Sequence, residues 1–178
     1  MCKTLGRSIA VLIFWSAVSV CQIAAWKEYK YADYGFAFTS PSQPLSEKQS
    51  TVTSIAEVEL QIYSIDLGGD SGVMISVADF GKKGENVSAH DLLQAMKNGA
   101  VHADNIRLIS EREISLDNNP GLEFEIADLQ YHARAHYYSI KGKVIGLTSV
   151  APASKPFSAD ANRILDSFRL LKSSETGP

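Results

Sequence analysis

The sequence is poor in cysteine: its 178 residues include two, Cys2 and Cys21, both close to the N-terminus. If the first 25 residues are removed, as argued below, the remaining 153 contain none. A chain without cysteine cannot form a disulfide, a thiol nucleophile or a cysteine-bound zinc site. These three kinds of chemistry are therefore excluded for the mature chain.

The sequence also lacks an excess of basic residues. It has 17 Lys and Arg against 20 Asp and Glu, which gives a net charge of −3. Removal of Lys3 and Arg7 with the N-terminal segment leaves 15 against 20, a net charge of −5. Domains that bind nucleic acid usually carry a basic patch or stripe. We therefore expect no nucleic-acid partner.

One long apolar run, Ser8–Val20, follows Lys3 and Arg7 and precedes the small residues of Ile23-Ala24-Ala25. This order is typical of a secretory signal peptide. The run is shorter than the ~20 apolar residues that span a bilayer. We expect residues 1–25 to be removed near Ala25, leaving a periplasmic or secreted protein; an uncleaved anchor is the second interpretation.

Cys21 supports a different N-terminus. Val18-Ser19-Val20-Cys21 has the shape of a bacterial lipobox, although the position before the cysteine normally holds Gly, Ala or Ser. A lipoprotein anchored at Cys21 is therefore the alternative to a free mature chain. Membrane association is expected only in that case or if the signal peptide is retained.

The remaining length suits one domain, which we place at residues 26–172, followed by a frayed tail at 173–178. Its clearest part is a block of four strands separated by turn residues. The predicted strands are Ile106–Leu116, Leu122–Ala127, Tyr131–Ile140 and Val144–Val150.

Before this block the pattern predicts four more strands, with polar loops over Ser42–Ser50 and Gly81–Val87. These strands are Trp26–Tyr31, Phe36–Thr39, Thr51–Leu67 and Val73–Phe80. One helix is predicted to begin after an N-cap at Ser88 and to end near Ala103, and a second contains Ala161–Phe168. The fold class is α+β, with a mostly antiparallel sheet of about six to seven strands and two main helices.

Alternation within the four-strand block separates an apolar face from a polar one. Leu122, Phe124 and Ile126 alternate with Glu123 and Glu125. The next strand alternates alanines and tyrosines with His132, Arg134, His136 and Tyr138. The expected pairing sets the carboxylates beside the His/Arg row. A three-residue loop, Lys141–Lys143, would add Gly146 and Thr148 to the polar face, and Ile145 and Leu147 to the apolar one.

This polar face is the candidate site. Arg134 could bind an anionic group, flanked by His132, His136 and Tyr138, with Glu123 and Glu125 alongside. The simpler interpretation is a solvated or helix-covered sheet face with exposed ion pairs. We expect no metal, because His132 and His136 would lie ~13 Å apart along a strand. His90 and His102 would lie ~18 Å apart along a helix.

A second motif, Gly69-Asp70-Ser71-Gly72, matches the nucleophile block of chymotrypsin-like proteases. No histidine precedes Ser71, although that family requires one. The motif is better interpreted as a hairpin turn. We expect no catalytic residue here.

Three segments resemble the PsbP-like and DcrB-like families. They are Tyr34-Gly35-Phe36-Ala37-Phe38-Thr39-Ser40-Pro41, then Pro120-Gly121-Leu122-Glu123-Phe124 with Arg134, and Ile164-Leu165-Asp166-Ser167-Phe168. The resemblance implies an exported α-β-α sandwich that acts by binding, without a cofactor. It therefore predicts a non-catalytic binding or assembly module of the cell envelope, whose partner is another envelope protein or complex. The alternative is a small hydrolase or an anionic-ligand-binding protein that uses the His132/Arg134/His136 face. The oligomeric state is left open.

Overall fold

The computed structural model describes residues 25–101, 105–172 and 175. The strands in this part are β1 (Lys27–Tyr31), β2 (Phe36–Ser40), β3 (Leu45–Val52), β4 (Glu57–Gly68), β5 (Ser71–Asp79), β6 (Arg107–Leu116), β7 (Asn119–Ala127), β8 (Tyr131–Ile140), β9 (Lys143–Pro152) and β10 (Arg169–Leu170). The helices are α1 (Gly81–Glu85), α2 (Ala89–Val101) and α3 (Ala159–Asp166), and Ala32–Tyr34 forms a short 3-10 turn.

Seven strands form the main sheet in the order β3-β4-β5-β9-β8-β7-β6, with every neighbouring pair antiparallel. A second antiparallel sheet has the order β1-β2-β10. The predicted α+β class with a mostly antiparallel sheet is confirmed. The three-stranded sheet is a separate layer and not an extension of the large one.

Each face of the main sheet packs against a different layer. On the face that we call the α2 side, Leu92 and Met96 of α2 pack against Phe124 and Tyr137 of the sheet. On the opposite face, the α3 side, α3 and the small sheet cover one part and leave the rest open. The sheet therefore separates two hydrophobic cores.

Helix α2 begins where its sequence predicts. The Ser88 hydroxyl accepts a hydrogen bond from the Asp91 amide (3.1 Å) and donates one to the Asp91 carboxylate (2.7 Å). This reciprocal pair satisfies a backbone amide that has no partner within the helix. The predicted end near Ala103 lies outside the described residues.

Helix α3 is capped in a similar way, since the Ser158 hydroxyl accepts a hydrogen bond from the Ala161 amide (3.0 Å). Its residue Ile164 is fully buried. The core beneath it is rich in aromatic residues: the Phe36 ring lies 5.4 Å from that of Phe168 and 6.1 Å from that of Tyr63. This packing joins the small sheet, α3 and the main sheet.

The predictions for residues 42–67 were partly wrong. The expected loop Ser42–Ser50 contains most of β3, and the single strand expected over Thr51–Leu67 is divided by a turn. In that turn the Thr53 hydroxyl accepts a hydrogen bond from the Ala56 amide (3.1 Å). Strand β3 is an exposed edge, polar on both faces, so it lacks the alternation that identifies a strand.

Two short elements were also not predicted. Helix α1 lies within the expected loop Gly81–Val87, and β10 follows α3 directly. The signal peptide and Cys21 lie outside the described residues, as does the tail except for Glu175. That residue accepts hydrogen bonds from Arg169 at 3.0 Å. Within the described ranges no helix is long and apolar enough to cross a membrane.

Candidate functional site

Glu123 lies opposite His136, and Glu125 lies opposite Arg134, so the carboxylates lie beside the His/Arg row as predicted. These four side chains lie on the α3 side of the sheet. Phe124, on the other face, is 1% exposed in the α2-side core. The alternating pattern of the two strands therefore predicts which side chains share a face, and the structure adds the exact register.

The predicted faces of β9 were wrong. The turn before it contains two residues, Lys141 and Gly142, both with positive φ, and not three. Moving the register by one residue reverses every side chain of a strand. Leu147 consequently shares a face with His136, and Thr148, expected on the polar face, lies on the α2 side.

Tyr138 was also assigned wrongly to the candidate surface. It lies opposite Ile145 and is 9% exposed in the α3-side core. Its ring stacks on Phe168 with a centroid distance of 6.4 Å. Tyr138 therefore belongs to the covered part of this face.

The remaining charged residues lie on β6, β7 and β8, on the α3 side of the sheet. We call this set the polar half: Arg112, Glu123, Glu125, His132, Arg134 and His136. The side chains of Glu123, His136, Glu125 and Arg134 are 16%, 23%, 29% and 34% exposed. The surface is thus half-buried apart from Arg112, whose side chain is 69% exposed.

Glu123 is the centre of one group. Arg112 donates two hydrogen bonds to its carboxylate, from Nε to Oε1 and from Nη2 to Oε2, both at 2.7 Å. This bidentate geometry holds the pKa of Glu123 below its usual value. Nε2 of His136 lies 2.9 Å from Glu123 Oε2, but the geometry is not that of a hydrogen bond and the nitrogen is buried without one. Burial lowers the pKa of His136 despite the nearby carboxylate, so the imidazole is neutral at pH 7.

Arg134 is the centre of the second group. Its Nε donates a 2.7 Å hydrogen bond to Glu125, and its guanidinium carbon lies 4.8 Å from the centre of the Phe157 ring. The His132 ring stacks on the same phenylalanine at 4.2 Å. His132 Nε2 lies 2.9 Å from the Lys155 carbonyl, to which it donates a hydrogen bond.

Sequence reasoning missed Arg112 and Phe157. Arg112 could have been found, because the two-residue turn at Asp117–Asn118 sets it directly opposite Glu123. Phe157 lies in the loop between β9 and α3, and no strand or helix periodicity predicts which residue such a loop presents. Its contact with β8 depends on tertiary packing.

The structure also places the Gly69-Asp70-Ser71-Gly72 motif and most of the candidate metal ligands. Gly69 and Asp70 lie in the turn between β4 and β5, and Ser71 begins β5. In the part of the chain that the structure describes, no three His, Cys, Asp or Glu side chains are grouped closely enough to hold a metal ion. His102 lies outside that part.

An antiparallel sheet enclosed by α2 on one face and by α3 with a small sheet on the other defines an α-β-α sandwich of the PsbP-like type. The comparisons with solved structures agree. Cyanobacterial PsbP from Synechocystis sp. PCC 6803 has a TM-score of 0.54 at 15% identity, with 88% of this chain and 98% of that chain covered. The predicted PsbP-like fold is therefore confirmed.

Two other solved structures are less similar. The Ran-binding protein Mog1p of Saccharomyces cerevisiae has a TM-score of 0.49 at 7% identity, covering 85% of this chain and 98% of that one. A protein of unknown function from Pseudomonas aeruginosa has a TM-score of 0.40 at 10% identity, covering 61% and 85%. No family model and no curated protein sequence matches the chain.

Proposed function

We propose that this chain is a non-catalytic binding or assembly module of the cell envelope, and that the polar half is the surface that binds its partner. The observation that carries the proposal is the fixed arrangement of charges on an uncovered part of an otherwise covered sheet. Two carboxylates each hold an arginine at 2.7 Å. Charged groups that are already ordered favour specific recognition of a complementary surface.

Arg134 is the residue best placed to contact that partner. The Nε of its guanidinium donates to Glu125. The two terminal nitrogens have no hydrogen-bond partner among the described residues. The terminal nitrogens can therefore donate to a carboxylate of another protein in the bidentate geometry that arginine favours. Phe157 supports the guanidinium from the side, which reduces the conformational entropy lost on binding. We infer that the partner presents an acidic group.

The capture of partners tests this proposal. Tagged mature protein is incubated with the native envelope fraction, with and without crosslinking, and bound proteins are identified. Arg134→Ala should lose the specific partner. Arg169→Ala is the matched control, because that arginine is also ion-paired and partly exposed but belongs to the small sheet. Equal capture by the wild type and Arg134→Ala would contradict the proposal.

Location in the envelope is part of the same proposal, since the N-terminal sequence has the order of a signal peptide. Mass spectrometry of protein isolated from the envelope should find a chain that begins at Trp26 and carries no lipid. A diacylated chain that begins at Cys21 would make the protein a lipoprotein. A chain that retains Met1 would make it membrane-anchored.

The alternative hydrolase function finds less support in the geometry. His132 Nε2 is occupied by the Lys155 carbonyl, and His136 lies between Glu123 and Leu147. A general base must reach the proton that it removes. An esterase and phosphatase panel on the wild type and His132→Ala tests this function, and only activity that the alanine variant loses would support it.

A further inference from the structure

A separate cleft lies where the β8–β9 end of the main sheet meets the small sheet. We call it the end cleft; its volume is ~380 Å³, within the range of small-molecule sites. Asn119, Ile140 and Lys143 of the main sheet line it, as do Tyr34, of the turn before β2, and Leu170 of β10. The end cleft shares no residue with the polar half.

Lys141, at the rim of the end cleft, has an unusual backbone conformation. Its φ is +49°, in the left-handed region. The other described non-glycine residues with positive φ are Asp70, Asp117 and Asn118, of the types that tolerate this region. Asn or Asp would suit the first position of this two-residue turn better than lysine. A strained backbone at a cleft suggests that the lysine side chain has a function there.

The turn that carries Lys141 is held in place from outside the cleft. The Phe80 amide donates a hydrogen bond to the Gly142 carbonyl (3.3 Å). Gly84 of α1 packs so closely that a Cβ on it would lie 2.4 Å from that same oxygen. On the small-sheet side of the cleft, the Leu171 amide donates a hydrogen bond to the Gly35 carbonyl (2.8 Å) and so joins the two segments that line it there. The end cleft is therefore preformed.

Two of the polar groups in the end cleft are already used. Lys143 pairs with Asp79 at 3.0 Å. The side-chain amide of Asn119 donates to the carbonyls of Leu116 and Asp117. Lys141 and Asp33 remain, and no ion pair within the described residues joins them to each other. The end cleft thus offers one positive and one negative group, both exposed, beside the apolar side chains of Ile140 and Leu170.

We propose that the end cleft binds a small zwitterion with an apolar body, of the class of free apolar amino acids. Lys141 takes the carboxylate and Asp33 takes the ammonium group. The apolar body lies against Ile140, Tyr34 and Leu170. A zwitterion forms a charge-assisted hydrogen bond with each of these two groups, whereas a ligand with one charge alone forms only one of the two.

Titration of the mature protein with three ligands of similar size, followed by NMR, tests the proposal. Leucine carries both charges, N-acetyl-leucine only the negative one and leucinamide only the positive one. Leucine should shift the resonances of Lys141 and Asp33, and each analogue should bind about tenfold more weakly. Equal binding of leucine and N-acetyl-leucine would overturn the proposal, as would no shift with leucine.

Two variants separate binding from folding. Lys141→Asn suits the turn, so it should leave the melting temperature unchanged or raise it while weakening leucine binding about tenfold. Asp33→Asn should weaken leucine about tenfold and leave N-acetyl-leucine unaffected. Lys155→Asn, a lysine outside the end cleft, is the control and should bind leucine normally. Normal leucine binding by Lys141→Asn would overturn the proposal.

Discussion

The two halves of the α3 side of the sheet differ although they share one backbone. On β9, Leu147 is 1% exposed beneath the small sheet and α3. Directly opposite on β8, His136 belongs to the polar half and contacts a carboxylate. At this position the boundary between the hydrophobic core and the charged surface therefore runs between two paired strands, whereas at Tyr138 the core extends onto β8. Pairing alone does not determine the character of a face; the layer that covers it does.

The two halves also differ in what they contribute to the free energy of folding. Buried apolar side chains contribute roughly 1.5–3 kcal/mol each. A partly exposed ion pair typically contributes ~0–1 kcal/mol. We therefore expect the covered half to supply stability, while the polar half remains available for recognition with little loss of stability on substitution.

The largest expected effect comes from Leu147→Ala. The substitution leaves a cavity in the α3-side core, so the free energy of unfolding should fall by ~2–5 kcal/mol. Urea denaturation measures this loss. His136→Ala, the matched control at the opposing position, should cost much less. Equal losses for the two variants would show that the polar half is part of the core.

Ser158→Ala tests helix α3, which packs on the covered half. The substitution removes the hydroxyl that accepts a hydrogen bond from Ala161, so the free energy of unfolding should fall by ~1 kcal/mol. Ser158→Asp restores an acceptor at the N-cap and should retain most of the stability. Thermal unfolding followed by circular dichroism compares the three proteins. A loss with aspartate as large as that with alanine would argue against capping as the cause.

The polar half should show its own pH dependence. Burial lowers the pKa of His136 below 6.5, so the unfolded chain takes up this proton more readily than the folded one. Stability should accordingly be complete above pH 6.5 and decrease as the pH falls from there to the lowered pKa. The lowered pKa of Glu123 adds a second decrease below pH 4.5. Urea denaturation across this pH range measures both decreases. In the His136→Gln variant the first decrease should be absent and the second should remain.

Arg134→Ala should have the smallest effect on stability. Its pair with Glu125 is about one-third exposed, so the variant should lose under ~1 kcal/mol and shift the melting temperature by a few degrees. Differential scanning calorimetry measures the shift. A loss comparable to that of Leu147→Ala would mean that Arg134 has a structural role, because its removal would strand a buried carboxylate.

Strong alternation made part of this molecule predictable from its sequence. Phe124 alternates with Glu123 and Glu125, so the position of the carboxylates beside the His/Arg row could be predicted, but the exact β7–β8 register could not. The β9 face could not, because it depended on whether Lys143 belongs to the turn or to the strand. Strand β3 was missed because an edge strand exposed on both faces carries no periodic signal.

Tertiary packing determines the rest. Tyr138 has the sequence environment of a surface residue, and only the position of Phe168 shows that it is covered. Phe157 reaches His132 and Arg134 from a loop that is distant in sequence. The charged members of the polar half on β7 and β8 were therefore predictable, while its boundary and its aromatic support were not.

The two open edges of the main sheet are unequal, and this determines how the protein should behave in concentrated solution. Strand β6 has a register shift between Leu108 and Ser110, which disrupts its outer edge. Strand β3 pairs regularly along its eight residues, with Lys48 near its middle. A charged edge residue discourages strand-to-strand association. Of the two edges of the main sheet, β3 is the regular one, so we expect association through the edges of this sheet to stop at pairs and not to grow into fibres.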